Sequence, residues 1–182
     1  MFDALRQPVP EFVSRQLQAV TDNRKIEMRW LLMGLALGET QRLDAYCKAK
    51  PDPSDTTQLM LDLPTVPIDV DWLNQVLAPS YPLAAETRYL LCLVAGGLQA
   101  GPVEAESSLR TLFTEAPDPG THAAARWALQ QLQSTDEVLE NMIAGCTEQL
   151  AEQTKRDWYV TPRLGPPDRQ VPGFTMVRIP SH

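Results

Sequence analysis

The chain has 182 residues, 43% of them apolar, and a formal net charge of -7 at neutral pH. That apolar fraction excludes disorder throughout and suffices for one domain with a real core, or for a domain plus an appendage. The excess of acid argues against a nucleic-acid partner, because phosphate binding needs clustered Lys and Arg that release counterions.

In chain order, Pro8 and Pro10 open a first predicted helix from Glu11 to Val20, with Phe12, Val13, Leu17 and Val20 near one face. Thr21-Asp22-Asn23 interrupts it, and Asp22 or Asn23 is a suitable cap for a helix from Arg24 to Leu37, which Gly38 ends. Thr40 to Lys48 reads as its antiparallel partner, with Leu43, Tyr46 and Cys47 facing inward. Pro51-Asp52-Pro53-Ser54-Asp55 is a turn, since proline fixes φ and Asp or Ser bonds its own backbone. Thr56 to Leu61 is a short helix stopped by Pro64 and Pro67. Asp69 or Asp71 then caps another through Leu77 that carries Trp72, Leu73 and Val76 inward.

Ala78-Pro79-Ser80-Tyr81-Pro82 breaks the chain before a second long helix, Leu83 to Leu98, which Gly101-Pro102 closes. Glu104 to Glu115 is its partner, with Leu109, Leu112 and Phe113 on the apolar face. Thr121 is expected to cap an alanine-rich helix, His122 to Leu132, with Ala124, Trp127, Ala128 and Leu132 on one stripe. Ser134 with Glu137 matches a capping box for a last helix, Thr135 to Lys155, whose inner face uses Val138, Leu139, Met142, Ile143, Cys146 and Leu150. Beyond Lys155 the prolines and glycines exclude helix. Phe174 to Ile179 alternates and reads as one strand with nothing in the chain to pair with.

Two stretches echo each other. Glu27-Met28-Arg29-Trp30-Leu31-Leu32 and Glu86-Thr87-Arg88-Tyr89-Leu90-Leu91 both run into small, nearly uninterrupted apolar segments. Each is followed by a shorter helix and then by Pro51-Asp52-Pro53-Ser54 or Pro117-Asp118-Pro119-Gly120. A duplicated buried helix, second helix and Pro-Asp-Pro turn point to an all-α fold of HEAT-like antiparallel repeats over residues 1–155, with an extended tail over 156–182. Arg29 and Arg88 are expected to anchor equivalent interhelical contacts.

Chemistry is sparse. His122 falls in the first turn of a helix with no Ser or Cys nucleophile beside it, and His182 is terminal; both read as structural or exposed. Asp52, Asp55, Asp69, Asp71 and Asp118 lack the order of an EF-hand loop and read as turn and cap residues. Trp30, Trp72, Trp127 and Tyr89 lie in apolar runs at helical spacing and read as core. Gly96-Gly97 is no phosphate loop, lacking a following Lys-Ser/Thr and a preceding strand. Cys47, Cys92 and Cys146 are odd in number and far apart, which gives neither a disulfide framework nor a zinc motif. They read as apolar filler, and a cytoplasmic, reducing location fits them best. No catalytic, cofactor-binding or metal-binding residue is expected. The first nine residues hold no sustained apolar core, so no secretory signal is expected. The longest apolar runs are about half of the ~20 residues of a membrane span, so no membrane contact is expected either.

The tail motifs Trp158-Tyr159-Val160 and Met176-Val177-Arg178-Ile179-Pro180 resemble the entrance of the formylglycine-generating enzyme family, the sulfatase-modifying factors. The stretch Ala116 to Leu129, with its Pro-Asp-Pro-Gly-Thr-His-Ala-Ala-Ala-Arg-Trp core, is similar to the helical segment upstream of that domain in large bacterial proteins, some of which begin with a serine/threonine kinase. The resemblance implies a helical spacer over 1–155, and a linker and truncated first strand over 156–182. The family's paired catalytic cysteines lie deep in a domain without counterpart here, so no catalytic role is carried onto Cys47, Cys92 or Cys146. The expected role is a non-catalytic scaffold or interaction module whose partner is a protein or a neighbouring domain. The alternatives are a fragment of a formylglycine-generating oxidase with its chemistry beyond this chain, or a regulator associated with a bacterial serine/threonine kinase.

Overall fold

The computed structural model describes residues 30–35, 37, 39–48, 54–62, 68–98, 103–132, 134–161, 163, 165–166, 169 and 173–179. The predicted helix Glu11 to Val20, the caps Asp22 and Asn23, Glu27, Arg29, Gly38, the prolines of the first Pro-Asp-Pro turn and His182 lie outside the described residues. A helical stretch at 30–35 precedes α1 (Gln41–Cys47), α2 (Ser54–Asp62), α3 (Val70–Leu77), α4 (Ala85–Gly97), α5 (Val103–Glu115), α6 (Pro119–Gln131), α7 (Asp136–Ile143) and α8 (Glu148–Thr154). Two short strands follow, β1 (Trp158–Val160) and β2 (Thr175–Val177). The protein is therefore mostly helical, as the apolar periodicity requires.

The second of the two echoing segments is the centre of the body. In α4, Leu90, Leu91, Cys92, Val94, Ala95 and Gly96 are all buried, so it presents apolar surface on nearly every side. It meets α1, α2, α3 and α6. The first echo contributes Leu31 and Leu35 to the same core, but its Met33 is exposed where its counterpart Cys92 is fully buried. The duplication thus shares sequence more closely than surroundings. Arg88 does not bridge helices: its Nη2 donates to the Tyr81 carbonyl at 2.8 Å, in the loop that leads into its own helix.

Neighbour relations among the middle helices are regular. α3 packs on α4 and α5 on α6, while α3 also packs on α5 and α4 on α6. Polar ties fix these pairings, as Ser108 Oγ donates to Asn74 Oδ1 at 2.9 Å between α5 and α3. The Ala84 N–H donates to Asp44 Oδ1 at 3.3 Å, joining the start of α4 to α1. The closest packing is between α4 and α6, where Ala124, Ala125 and Ala128 are buried. A Cβ added at Gly96 would lie 2.6 Å from Trp127 Cζ3 and 2.8 Å from the Ala128 Cα, so only glycine lets the helices approach this far.

Capping decides several boundaries. Asp69 caps α3 as expected, accepting the Trp72 N–H at 3.2 Å. The cap of α6 is Asp118 rather than Thr121: its Oδ1 accepts the Thr121 N–H at 2.7 Å, and Pro119 occupies the first turn, where its missing N–H costs nothing. Thr135, not Ser134, caps α7 through the Val138 N–H.

The predicted single helix from Thr135 to Lys155 is two helices. It breaks at residues 144–147, after which Thr147 starts α8 by accepting the Leu150 N–H. Leu139, Ile143 and Cys146 are buried as expected, whereas Val138 and Leu150 are exposed. The predicted strand has a partner after all: β2 pairs antiparallel with β1, Trp158 opposite Val177 and Val160 opposite Thr175.

Replacing Gly96 with Ala should destabilise the protein by about 1–3 kcal/mol, the usual cost of overpacking a tight contact. Urea unfolding checks this. Adding Trp127→Ala should recover only part of the loss, because the Ala128 backbone also stands in the way.

Candidate functional site

The hairpin is held where α5, α6 and the α7–α8 turn meet, and its docking is built around Trp158. This indole is fully buried, and its Nε1 donates to the Ala116 carbonyl at 2.7 Å. Its ring stacks on the His122 imidazole at 3.7 Å between centroids, and that imidazole stacks on Phe113 at 4.9 Å. His122 Nδ1 lies 2.6 Å from the Phe113 carbonyl oxygen and Nε2 lies 3.4 Å from Thr175 Oγ1. The neutral tautomer with its proton on Nδ1 donates to that carbonyl and leaves Nε2 to accept from the Thr175 hydroxyl. One side chain of α6 thus touches α5, β1 and β2.

Backbone hydrogen bonds close the seam. The Asp157 N–H donates to the Pro117 carbonyl and the Val160 N–H to the Cys146 carbonyl, each at 2.8 Å. Arg156, also buried, donates from Nη1 to the Thr114 carbonyl at 2.8 Å and lays its guanidinium 4.6 Å from the Trp158 ring centroid. Its Nε and Nη2 are buried without a hydrogen-bond partner, so the cation is stabilised by the indole face and one carbonyl rather than by a carboxylate. Arg156 to Val160, and Thr175 across the hairpin, therefore pack against the helical body rather than standing apart from it.

The electrostatics of the seam follow from burial. Desolvation lowers the His122 pKa to about 4, helped by the cations of Arg126 and Arg156 and opposed by the Phe113 carbonyl and by Asp118. Desolvation likewise pushes the Cys92 thiol up to about 12, with Arg88 opposing and Asp118 adding. A thiol so held is not a thiolate nucleophile at neutral pH. Cys47, Cys92 and Cys146 are all buried, in keeping with their reading as apolar filler.

Two hollows border the hairpin. A cleft of about 720 Å³ lies between the α7–α8 turn and β1, bounded by Glu140, Glu148, Tyr159 and Arg163, and Arg163 and Glu140 in its lining form a 2.7 Å ion pair. A groove of about 300 Å³ lies on the other side, between α6 and β2. Beside that groove Trp127 is 39% exposed, as is Tyr89 on α4, which corrects their expected place in the core. Trp72 and Trp30 are half-buried. The tryptophan that is fully buried, Trp158, lies in a proline-rich stretch that carries no helical period to flag it.

His122, read from the sequence as structural or exposed, is buried in the first turn of α6, where it ties that helix to α5 and to both strands of the hairpin. Asp69 and Asp118 are caps, as the turn reading held. Among the described residues no three His, Cys, Asp or Glu side chains converge on a point where they would ligate a metal ion. No helix among them is long and apolar enough to cross a membrane. Compared with protein-family models, curated proteins and solved structures, the chain matches none.

The depressed His122 pKa has a defined consequence for stability. Unfolded, the imidazole takes up a proton below about pH 6.5; folded, it does so only below about 4. Its contribution is complete above about pH 6.5, falls as pH drops through that interval, and changes no further below about 4. Between pH 7 and pH 4 wild-type protein should lose about 3 kcal/mol more than His122→Phe, which keeps the stack without titrating. Equal slopes in urea unfolding at stepped pH would contradict the assignment.

A second consequence concerns the indole. Trp158→Ala should cost about 3–5 kcal/mol, the usual price of emptying a buried aromatic site. It should also return the His122 pKa towards 6.5, which NMR titration of the imidazole would read.

Proposed function

We propose that the chain is a non-catalytic, HEAT-like helical module of a bacterial protein of the sulfatase-modifying-factor, or formylglycine-generating enzyme, type. Its task is to hold a neighbouring domain, or a protein partner, in a fixed position in the cytoplasm. The neighbour relations of the middle helices support the helical-repeat part: α3 with α4 and α5 with α6 form successive pairs, first helix on first and second on second, as stacked helical hairpins do. These pairs are offset by one helix from the duplication in the sequence.

The observation that carries the scaffold reading is the placement of β2. The residues that resemble the family's entrance strand are anchored through β1 and Trp158 to the helices, yet Phe174, Met176, Val177 and Ile179 are exposed by 43% or more. An anchored strand with exposed apolar side chains is suited to transmitting the position of whatever packs on it.

Two measurements test this. Incubated with oxygen and a sulfatase-type cysteine peptide, the purified chain should give no formylglycine product by mass spectrometry; turnover would overturn the non-catalytic part. A separately expressed sulfatase-modifying-factor-type catalytic domain should form a complex with the chain in analytical ultracentrifugation, and absence of a complex would overturn the positioning part.

A further inference from the structure

The β2 strand has one partnered edge and one open one. Across the hairpin, the Thr161 N–H donates to the Phe174 carbonyl at 2.9 Å and the Arg178 N–H to the Asp157 carbonyl at 2.8 Å. Antiparallel pairing alternates, so of the register pairs it is Tyr159 with Met176 that exchanges inward hydrogen bonds. The N–H and C=O groups of Thr175 and Val177 consequently point away from β1. On β1 the matching outward group of Val160 is taken, donating to the Cys146 carbonyl. Among the described residues, no backbone group pairs with the outward groups of Thr175 or Val177 on β2.

Beneath that open edge lies the groove of about 300 Å³. Ala123, Arg126, Trp127 and Gln130 of α6 form one wall, and Thr175 and Val177 form the other. Residues opposite one another in a sheet point to the same face. A strand laid beside β2 would therefore aim the side chains opposite Thr175 and Val177 into this groove, over the half-exposed indole of Trp127. Among the described residues that line the groove, none is a carboxylate and Arg126 is charged. Its ion pair with Asp136 is 3.6 Å long between exposed side chains and is weakly held. Along the sequence, the segment that contains the hairpin is basic within an acidic chain: residues 155–182 carry five basic and two acidic side chains, whereas residues 1–154 carry eleven and twenty-one.

We infer that the open edge of β2 and the groove beside it take up an extended segment of the partner domain as a third strand, with an apolar side chain over Trp127 and an acidic one beside Arg126. The backbone groups of Thr175 and Val177 supply the affinity and register, and the groove supplies the sequence preference, as in other cases of strand addition. This rests on the scaffold reading and names the surface through which it acts.

The test uses a seven-residue capped peptide in which threonine alternates with valine and glutamate, titrated into the full chain and followed by Trp fluorescence and calorimetry. Saturable binding is expected. The same peptide N-methylated at alternate residues, which removes the donors facing β2, should bind at least tenfold more weakly. Val177→Pro, which removes an edge N–H, should weaken binding by a similar factor, and so should Ala123→Trp, which fills the groove and leaves the edge alone; near-UV circular dichroism of the buried indole checks that both keep the hairpin docked. Equal binding of the methylated and parent peptides, or no binding of the parent, would overturn the inference. A catalytic-type domain that binds Ala123→Trp and Val177→Pro as it binds wild type would overturn the edge as its seat while leaving the scaffold reading intact. Its failure to bind wild type at all would overturn the scaffold reading instead.

Discussion

The close approach of α4 and α6 constrains the rest of the structure. Gly96 lets the Trp127 ring and the Ala128 backbone come within a distance that any Cβ would forbid, and the alanines of α6 have no bulk to hold the helices apart. Once α6 is drawn against α4, its first turn lies beside the end of α5. His122 then meets the Phe113 ring on one side and leaves its other face open. That face is where Trp158 stacks, so the position of the hairpin is set by a contact between two helices distant from it in sequence. A shift of α6 would be felt at β2.

Much of this was legible in the sequence. The apolar periods place α1, α3, α4, α5 and α6 within a few residues of where they occur, because each has a strong stripe and a nearby breaker. At α3 the sequence offered Asp69 or Asp71 as the cap; Asp69 takes the role and Asp71 lies in the first turn. At α6 two candidates competed, and the earlier won: Asp118 accepts an N–H in the first turn while Pro119 begins the helix, which leaves Thr121 already inside it. The split of the last helix was readable only from Gly145 and Thr147. Ile143, Cys146 and Leu150 keep a helical spacing straight across the break, and that period hides it.

The hairpin was not legible for a different reason. Short hairpins announce themselves by a two- to five-residue turn, whereas residues 161–174 separate β1 from β2. A three-residue strand such as Trp158-Tyr159-Val160 carries too little alternation to be distinguished from loop. What fixes it is tertiary: the indole hydrogen bond to Ala116, the stack on His122 and the Cys146 carbonyl, none of them close in sequence. Trp127 and Tyr89 fail in the converse way. Their spacing is that of core residues, but each lies at the border of its stripe, where a large ring is only partly covered.

The docked hairpin is also less securely held than the area it buries suggests. Inserting Trp158 removes a large apolar surface from water, which favours docking. The same movement carries the Arg156 guanidinium into the seam, where Nε and Nη2 have lost water without gaining a partner, and keeps His122 neutral in a site that opposes its protonation. The apolar and polar terms therefore oppose each other at one junction. A third strand on β2 would add backbone hydrogen bonds and apolar burial to the docked form alone, so occupancy of the edge and docking of the hairpin favour each other by linkage.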